Sequence, residues 1–125
     1  MKNGGIKALV VLCTLLGASA CNASDDSVHA IVANPATYDH RSVALKGTAE
    51  GVRETTSRRG NDYTTFKLRD DPSGSEALSV FTWGHPTLGN GDCIQVEGVF
   101  EVEHHQGQYT FRNELEATKL TPCPR

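Results

Sequence analysis

A chain of 125 residues with 12 Lys and Arg against 15 Asp and Glu, net charge −3, has room for one domain with a modest core. The acidic balance weighs against a protein that grips polyanions through a basic face, because neutralising phosphates is what drives such binding.

In chain order, Lys2 and Lys7 flank the start of an uncharged run, Ala8 to Gly17, which is followed by Ala18-Ser19-Ala20. A positive start, an apolar middle and a small-x-small end predict an export signal over residues 1–20. The run is shorter than the ~20 residues that span a bilayer. Removing the signal takes two lysines with it, so the remaining 105 residues carry −5 (the −3 of the whole chain less two positive charges). The expected location is outside the cytoplasm, in the periplasm or on a membrane as a lipoprotein. Cys21 follows the small residues directly, where a lipoprotein carries its acylated cysteine. Ala18 stands where that signal usually has Leu, so ordinary cleavage is the competing reading. The anchor accounts for an exported cysteine without a partner. Residues 21–27 form a polar tether, and 28–125 the folded domain.

Ser27 is placed to cap a short helix through Ala33, with Pro35 stopping it and Tyr38 to Arg41 turning. From Ser42 the texture is strand-like. Val43 and Leu45 alternate with polar positions, and Gly47 and Gly51 suggest a long first strand that bends. Thr55 to Asn61 is a polar loop. Asp62 to Arg69 is a second strand, with Thr64, Phe66 and Leu68 on one face and Tyr63, Thr65, Lys67 and Arg69 on the other. Asp70 to Ser75 is a turn. Ala77 to Trp83 is a third strand, with Phe81 and Trp83 on one face; which face is buried stays open. Gly84 to Asp92 is a loop, Cys93 to Glu103 a fourth strand, His104 to Gln108 a turn, and Tyr109 to Leu120 a fifth strand. The fold class is therefore all-β, with one short N-terminal helix.

Export makes a Cys93–Cys123 disulfide reasonable. A hairpin centred near Gln106 puts Cys93 opposite about residue 119, and one bulge or a short tail closes the gap to Cys123. Such a bridge is worth on the order of 3 kcal/mol.

Three segments carry a family resemblance. They are Ser42-Val43-Ala44-Leu45-Lys46-Gly47, Tyr63-Thr64-Thr65-Phe66-Lys67-Leu68-Arg69-Asp70-Asp71-Pro72-Ser73-Gly74, and Gly91-Asp92-Cys93-Ile94-Gln95-Val96-Glu97-Gly98-Val99-Phe100. They resemble strands one, two and four of the nucleic-acid-binding OB-fold family that includes tRNA anticodon-binding domains. Asn34-Pro35 with Tyr38 looks like the form found on small exported bacterial proteins. The resemblance implies a five-stranded Greek-key barrel over roughly residues 28–120. One departure is that 84–92 is too short for the helix usual between strands three and four, which leaves the segment after Ser27 to cap the barrel.

The resemblance also implies a ligand face on strands two and three, flanked by the one-two and four-five loops. That selects Tyr63, Thr65, Lys67 and Arg69, with Phe81 and Trp83 if Leu78 and Val80 point inward. Arg58 and Arg59 come from the first loop, and His104 and His105 from the second. For the two arginines a plain solvated loop is the competing reading. The ligand implied is single-stranded nucleic acid; the compartment and the acidic charge make an oligosaccharide or an envelope protein equally reasonable. A structural or stress-related protein that binds a partner strand at its barrel edge is the alternative. No metal or cofactor is expected, because adjacent strand residues such as His104 and His105 point apart. No catalysis is expected either, since no nucleophile elbow, Cys–His pair or phosphate loop is present. Asp70-Asp71 reads as turn chemistry.

Overall fold

The computed structural model describes residues 26–70 and 74–124. The expected signal, Cys21 and most of the tether lie outside the described residues, as do turn residues 71–73.

Ser27 starts helix α1, Val28–Ala33, its hydroxyl accepting the Ala30 N–H at 3.0 Å. Val28 and Ile31, three apart on one face, are fully buried. The Asp70 carboxylate accepts the N–H groups of Val28 (3.0 Å) and His29 (2.7 Å), tying the helix start to the end of the second strand. Asp70 therefore does more than turn the chain. Pro35 stops α1, as expected, but also opens a second short helix, α2, Pro35–Tyr38. Proline suits a first helical position because its missing N–H would be unpaired there.

Five strands follow: β1 Arg41–Thr56, β2 Asp62–Arg69, β3 Leu78–Trp83, β4 Cys93–Gln106 and β5 Tyr109–Pro122. They form a closed barrel in the order β1-β2-β3-β5-β4, antiparallel except for β3 against β5. β1 serves both sides of the closure. Arg41 to Thr48 pairs with β4, and Thr48 to Thr56 with β2. The change of partner needs a bend. It comes at Gly51, where φ is +62° and Gly51–Val52 bulge opposite β2. The Asn90 side chain accepts the freed Val52 N–H at 2.8 Å.

The core is the inward face of every strand, plugged at one end by α1. Phe66 and Leu68 of β2, Leu78 and Val80 of β3, Ile94, Val96 and Phe100 of β4 and Leu115 and Ala117 of β5 all point in. Each large side chain so buried contributes about 1.5–3 kcal/mol. Thr64 and Thr82, the buried polar pair, donate to the carbonyls of Gly84 (2.8 Å) and Ala117 (3.3 Å). The expected capping by the segment after Ser27 holds, and 84–92 contains no helix. Gly98 marks the tightest approach: a Cβ there would run into the backbone of Glu116 and Ala117.

The fourth and fifth strands are longer than the sequence suggested. His104, His105 and Gln106 belong to β4, and the turn is Gly107–Gln108. The hairpin centre moves by one to two residues, and Thr118 forms a bulge opposite Glu97 and Gly98. Together these bring Cys93 beside Cys123. The disulfide is present, with the two Cα atoms 5.4 Å apart.

Beyond the barrel the hairpin continues as an arm, Glu103 to Arg112. β3 pairs with β5 only from Glu114 to Glu116, and β1 leaves β4 at Phe100. Asn113, with φ +51°, stands at the arm's root. The closed barrel still leaves strand edges among the described residues, along Arg53 to Thr56 of β1, which pair with β2 alone, and along the two strands of the arm.

Candidate functional site

The register of β2 and β3 decides what faces outward. With Leu78, Val80 and Thr82 buried, Ser79, Phe81 and Trp83 point out beside Tyr63, Thr65, Lys67 and Arg69. The parity left open by the sequence is thereby settled, and the reading that buried Phe81 and Trp83 is overturned. The reason is packing: the β5 pairing sets Val80 beside Leu115 in the core.

Cross-strand pairing organises this face in rows. Tyr63 lies opposite Trp83. Thr65 lies opposite Phe81, which is followed by Glu116. Lys67 lies opposite Ser79, which is followed by Glu114 and, on β4, Glu101. The aromatic residues interlock. Tyr63 stacks on Phe81 at 5.2 Å between ring centroids, and Trp83 stands edge-on to Phe81 at 4.9 Å and to Tyr63 at 6.4 Å. Trp83 nevertheless remains 49% exposed.

The cations are unequal. Arg69 is committed elsewhere: its Nε meets Glu50 at 2.7 Å and its Nη1 donates to the carbonyls of Gly74 and Glu76. Lys67 is exposed and donates to the Ser79 hydroxyl. Arg58 and Arg59 form the tip of the β1–β2 loop, closed by Ser57 N–H to the Asn61 carbonyl at 2.8 Å. Neither makes an ion pair with another described residue.

Between β3 and the arm lies a groove of about 250 Å³, lined by Phe81, Trp83, His104, His105, Glu114 and Glu116. His104 Nδ1 is 2.8 Å from Glu101, whose other oxygen is 3.3 Å from His40. His105 is 2.7 Å from Glu103, which also meets Arg112 at 3.2 Å. Burial raises the Glu114 carboxyl above its ordinary range; His104 opposes this, Glu116 and Glu101 add to it, and Lys67 opposes it more weakly. Among the described residues, no three His, Cys, Asp or Glu side chains are grouped to hold a metal.

The structure thus brings Tyr63, Thr65, Lys67, Phe81 and Trp83 onto one face, with His104 and His105 on its flank and Arg58 and Arg59 on a loop of their own. Glu114 and Glu116 were not singled out from the sequence. Their alternation with Leu115 and Ala117 was the available signal.

A five-stranded closed barrel in this order, with a shared, bent first strand, is an OB-fold barrel. Comparison with solved structures agrees. A protein assigned as an aspartyl-tRNA synthetase from Leishmania major Friedlin superposes with TM-score 0.57 and 14% identity over 78% of this chain. This chain spans 20% of that protein. A small single-stranded DNA-binding protein from Streptomyces coelicolor superposes with TM-score 0.51 and 15% identity, over 68% of this chain and 94% of the other. At these identities the likeness is one of fold. No family model and no curated protein matches the sequence.

Proposed function

We propose that this chain is a non-catalytic binding module of the bacterial cell envelope that holds single-stranded nucleic acid on its β2–β3 face. The observation that carries the reading is the outward cluster of Tyr63, Phe81 and Trp83. Three interlocked rings that stay accessible form a platform on which bases stack, each stacked base being worth about 1–3 kcal/mol. Lys67 beside the platform, with Arg58 and Arg59 on the β1–β2 loop, supplies cations for phosphates. The fold likeness to a single-stranded DNA-binding protein supports this choice of ligand. Placement in the envelope rests on the export signal read over residues 1–20, and Cys21 would carry a lipid anchor. Mass spectrometry of the mature N-terminus tests both, with an unmodified Cys21 or a start at Ser24 counting against the anchor.

The test of the ligand is fluorescence anisotropy of a labelled oligodeoxythymidylate at low and moderate salt. Binding that weakens with salt and falls on Trp83→Ala is expected. No binding at low salt dismisses the reading, since the electrostatic attraction is strongest there.

A second reading, an oligosaccharide, is favoured by Glu114 and Glu116. Their carboxylates accept sugar hydroxyls and repel phosphate, while aromatic faces pack on sugar rings. Salt-insensitive binding of a neutral glycan, lost on Trp83→Ala, would select it.

A further inference from the structure

The carboxylates around the groove fall into two groups. Glu101 is shared by His104 and His40, and Glu103 by His105 and Arg112. On the other side of the face, Glu50 is held by Arg69. Glu114 and Glu116 have no hydrogen bond or ion pair with another described residue, yet both line the groove. Glu114 is half-buried, with Glu116 and Glu101 as its nearest like charges. Lys67, which acts on Glu114, lies two strands away across Ser79, and Arg112 on β5 is engaged with Glu103. Among the described residues, no Lys or Arg lines the groove. The remaining walls are Phe81 and Trp83, whose ring faces are negative, and two imidazoles already engaged with other carboxylates.

Such a site is wrong for a phosphate and right for an organic cation. Desolvating an unpaired carboxylate is costly, and a cation seated beside it recovers that cost. An aromatic face within about 6 Å adds attraction for an ammonium or guanidinium group. We propose that the groove between β3 and the hairpin arm binds an alkylammonium or guanidinium group, held by Glu114 and Glu116 against Trp83. This site goes beyond the nucleic-acid reading and is independent of it. The base platform runs from Trp83 toward β2, and the cation site from Trp83 toward β5.

The groups that set its pH dependence come from every neighbouring strand. They are Glu114, Glu116 and Arg112 on β5, Glu101, Glu103, His104 and His105 on β4, Lys67 on β2, and Asp39 and His40 before β1. Acidification neutralises Glu114, and that weakens cation binding.

Trp83 is the only tryptophan in the chain, so its emission reports directly on the groove. The experiment titrates the exported form of the chain, without oligonucleotide, at low ionic strength and pH 7.5. The probes are butylguanidinium and its neutral isostere butylurea, followed by spermidine and a blocked tri-arginine peptide. The expected result is a saturable change in Trp83 emission with butylguanidinium and none with butylurea. Glu114→Gln weakens it by about tenfold, one paired charge in a partly desolvated site. Glu76→Gln, at the distant contact with His29, leaves it unchanged. Spermidine outcompeting the peptide identifies free polyamines as the source of the cation, and the reverse order identifies basic peptide side chains. Equal responses to butylguanidinium and butylurea, no saturable response to any of the four probes, or unchanged affinity in a folded Glu114→Gln variant would overturn the proposal. Because no nucleic acid is present, failure here leaves the oligonucleotide reading standing, and failure of that reading leaves this one.

Discussion

The two ends of the β4–β5 hairpin are one ribbon under two regimes. At its open end, Cys93 and Cys123 are bridged, Ile94 and Val96 are in the core, and Gly98 lets two backbones close against each other. At its tip, Glu103 to Arg112 has no other strand of the described residues on either side. Tyr109 is 63% and Phe111 37% exposed, held only by loose ring contacts of about 6.5 Å to one another and to His104. The difference teaches that pairing alone does not stabilise a ribbon. The base is fixed because its inward residues bury apolar area against three other strands. The arm is spared that packing and is left to shape a groove.

The largest effect should come from the base. Gly98→Ala places a methyl group against the Glu116 and Ala117 backbone and is expected to cost roughly 3 kcal/mol or more, read from urea denaturation. An effect below about 1 kcal/mol would show that the two strands separate easily. Next, Cys93→Ser with Cys123→Ser should lower stability by on the order of 3 kcal/mol. The oligonucleotide affinity of the folded fraction should stay the same, because Cys93 lies by Thr48 and Arg69, at the other end of β2 from Tyr63 and Trp83.

Trp83→Ala should divide the two regimes most clearly. Its stability cost is expected to stay within about 1 kcal/mol, since half the side chain is already exposed. Oligonucleotide affinity should fall by about tenfold, the worth of one lost base stack. A stability loss as large as that of the base variants would mean that the aromatic cluster is structural.

Glu114→Gln should move stability the other way. A carboxyl whose folded pKa is raised contributes stability that is complete below its unfolded pKa and is lost as pH rises through the raised value. At pH 7.5 the charged form therefore burdens the fold, and the variant should melt higher. The gain should vanish near pH 4, where both states are largely protonated. Equal melting temperatures at neutral pH would place the carboxylate in water rather than in the groove. The smallest change is expected at the tip, where Tyr109→Ser should shift stability by less than about 0.5 kcal/mol in thermal melts.

Much of this was legible in the residues. The period-two alternation of Thr64, Phe66 and Leu68 against Tyr63, Thr65 and Lys67 fixed both faces of β2, because its inner face holds only apolar residues and threonine. β3 gave no such signal. Leu78, Val80, Phe81 and Trp83 are all apolar, so either face passes for core, and only the pairing with β2 and β5 decides between them. The arm was hidden for a different reason. His104, His105 and Gln106 are polar enough to read as a turn, and they are strand only because β5 continues opposite them. Arg69 was legible as an outward cation but not as a spent one, because Glu50 is distant in sequence and arrives through the β1–β2 pairing that sets Thr48 opposite Arg69.

The barrel class came from the family resemblance; by itself, the sequence determined the all-β class, the strand count, the inner face of β2, the helix start at Ser27 and the pairing partners of the disulfide. These depend on local periodicity, turn chemistry and the arithmetic of one hairpin. Only the tertiary structure decided that Trp83 is open to solvent, that Arg69 is occupied and that Glu114 faces a groove without a partner. Each of those depends on which residues distant in the chain are brought together when the barrel closes, and no local pattern encodes that.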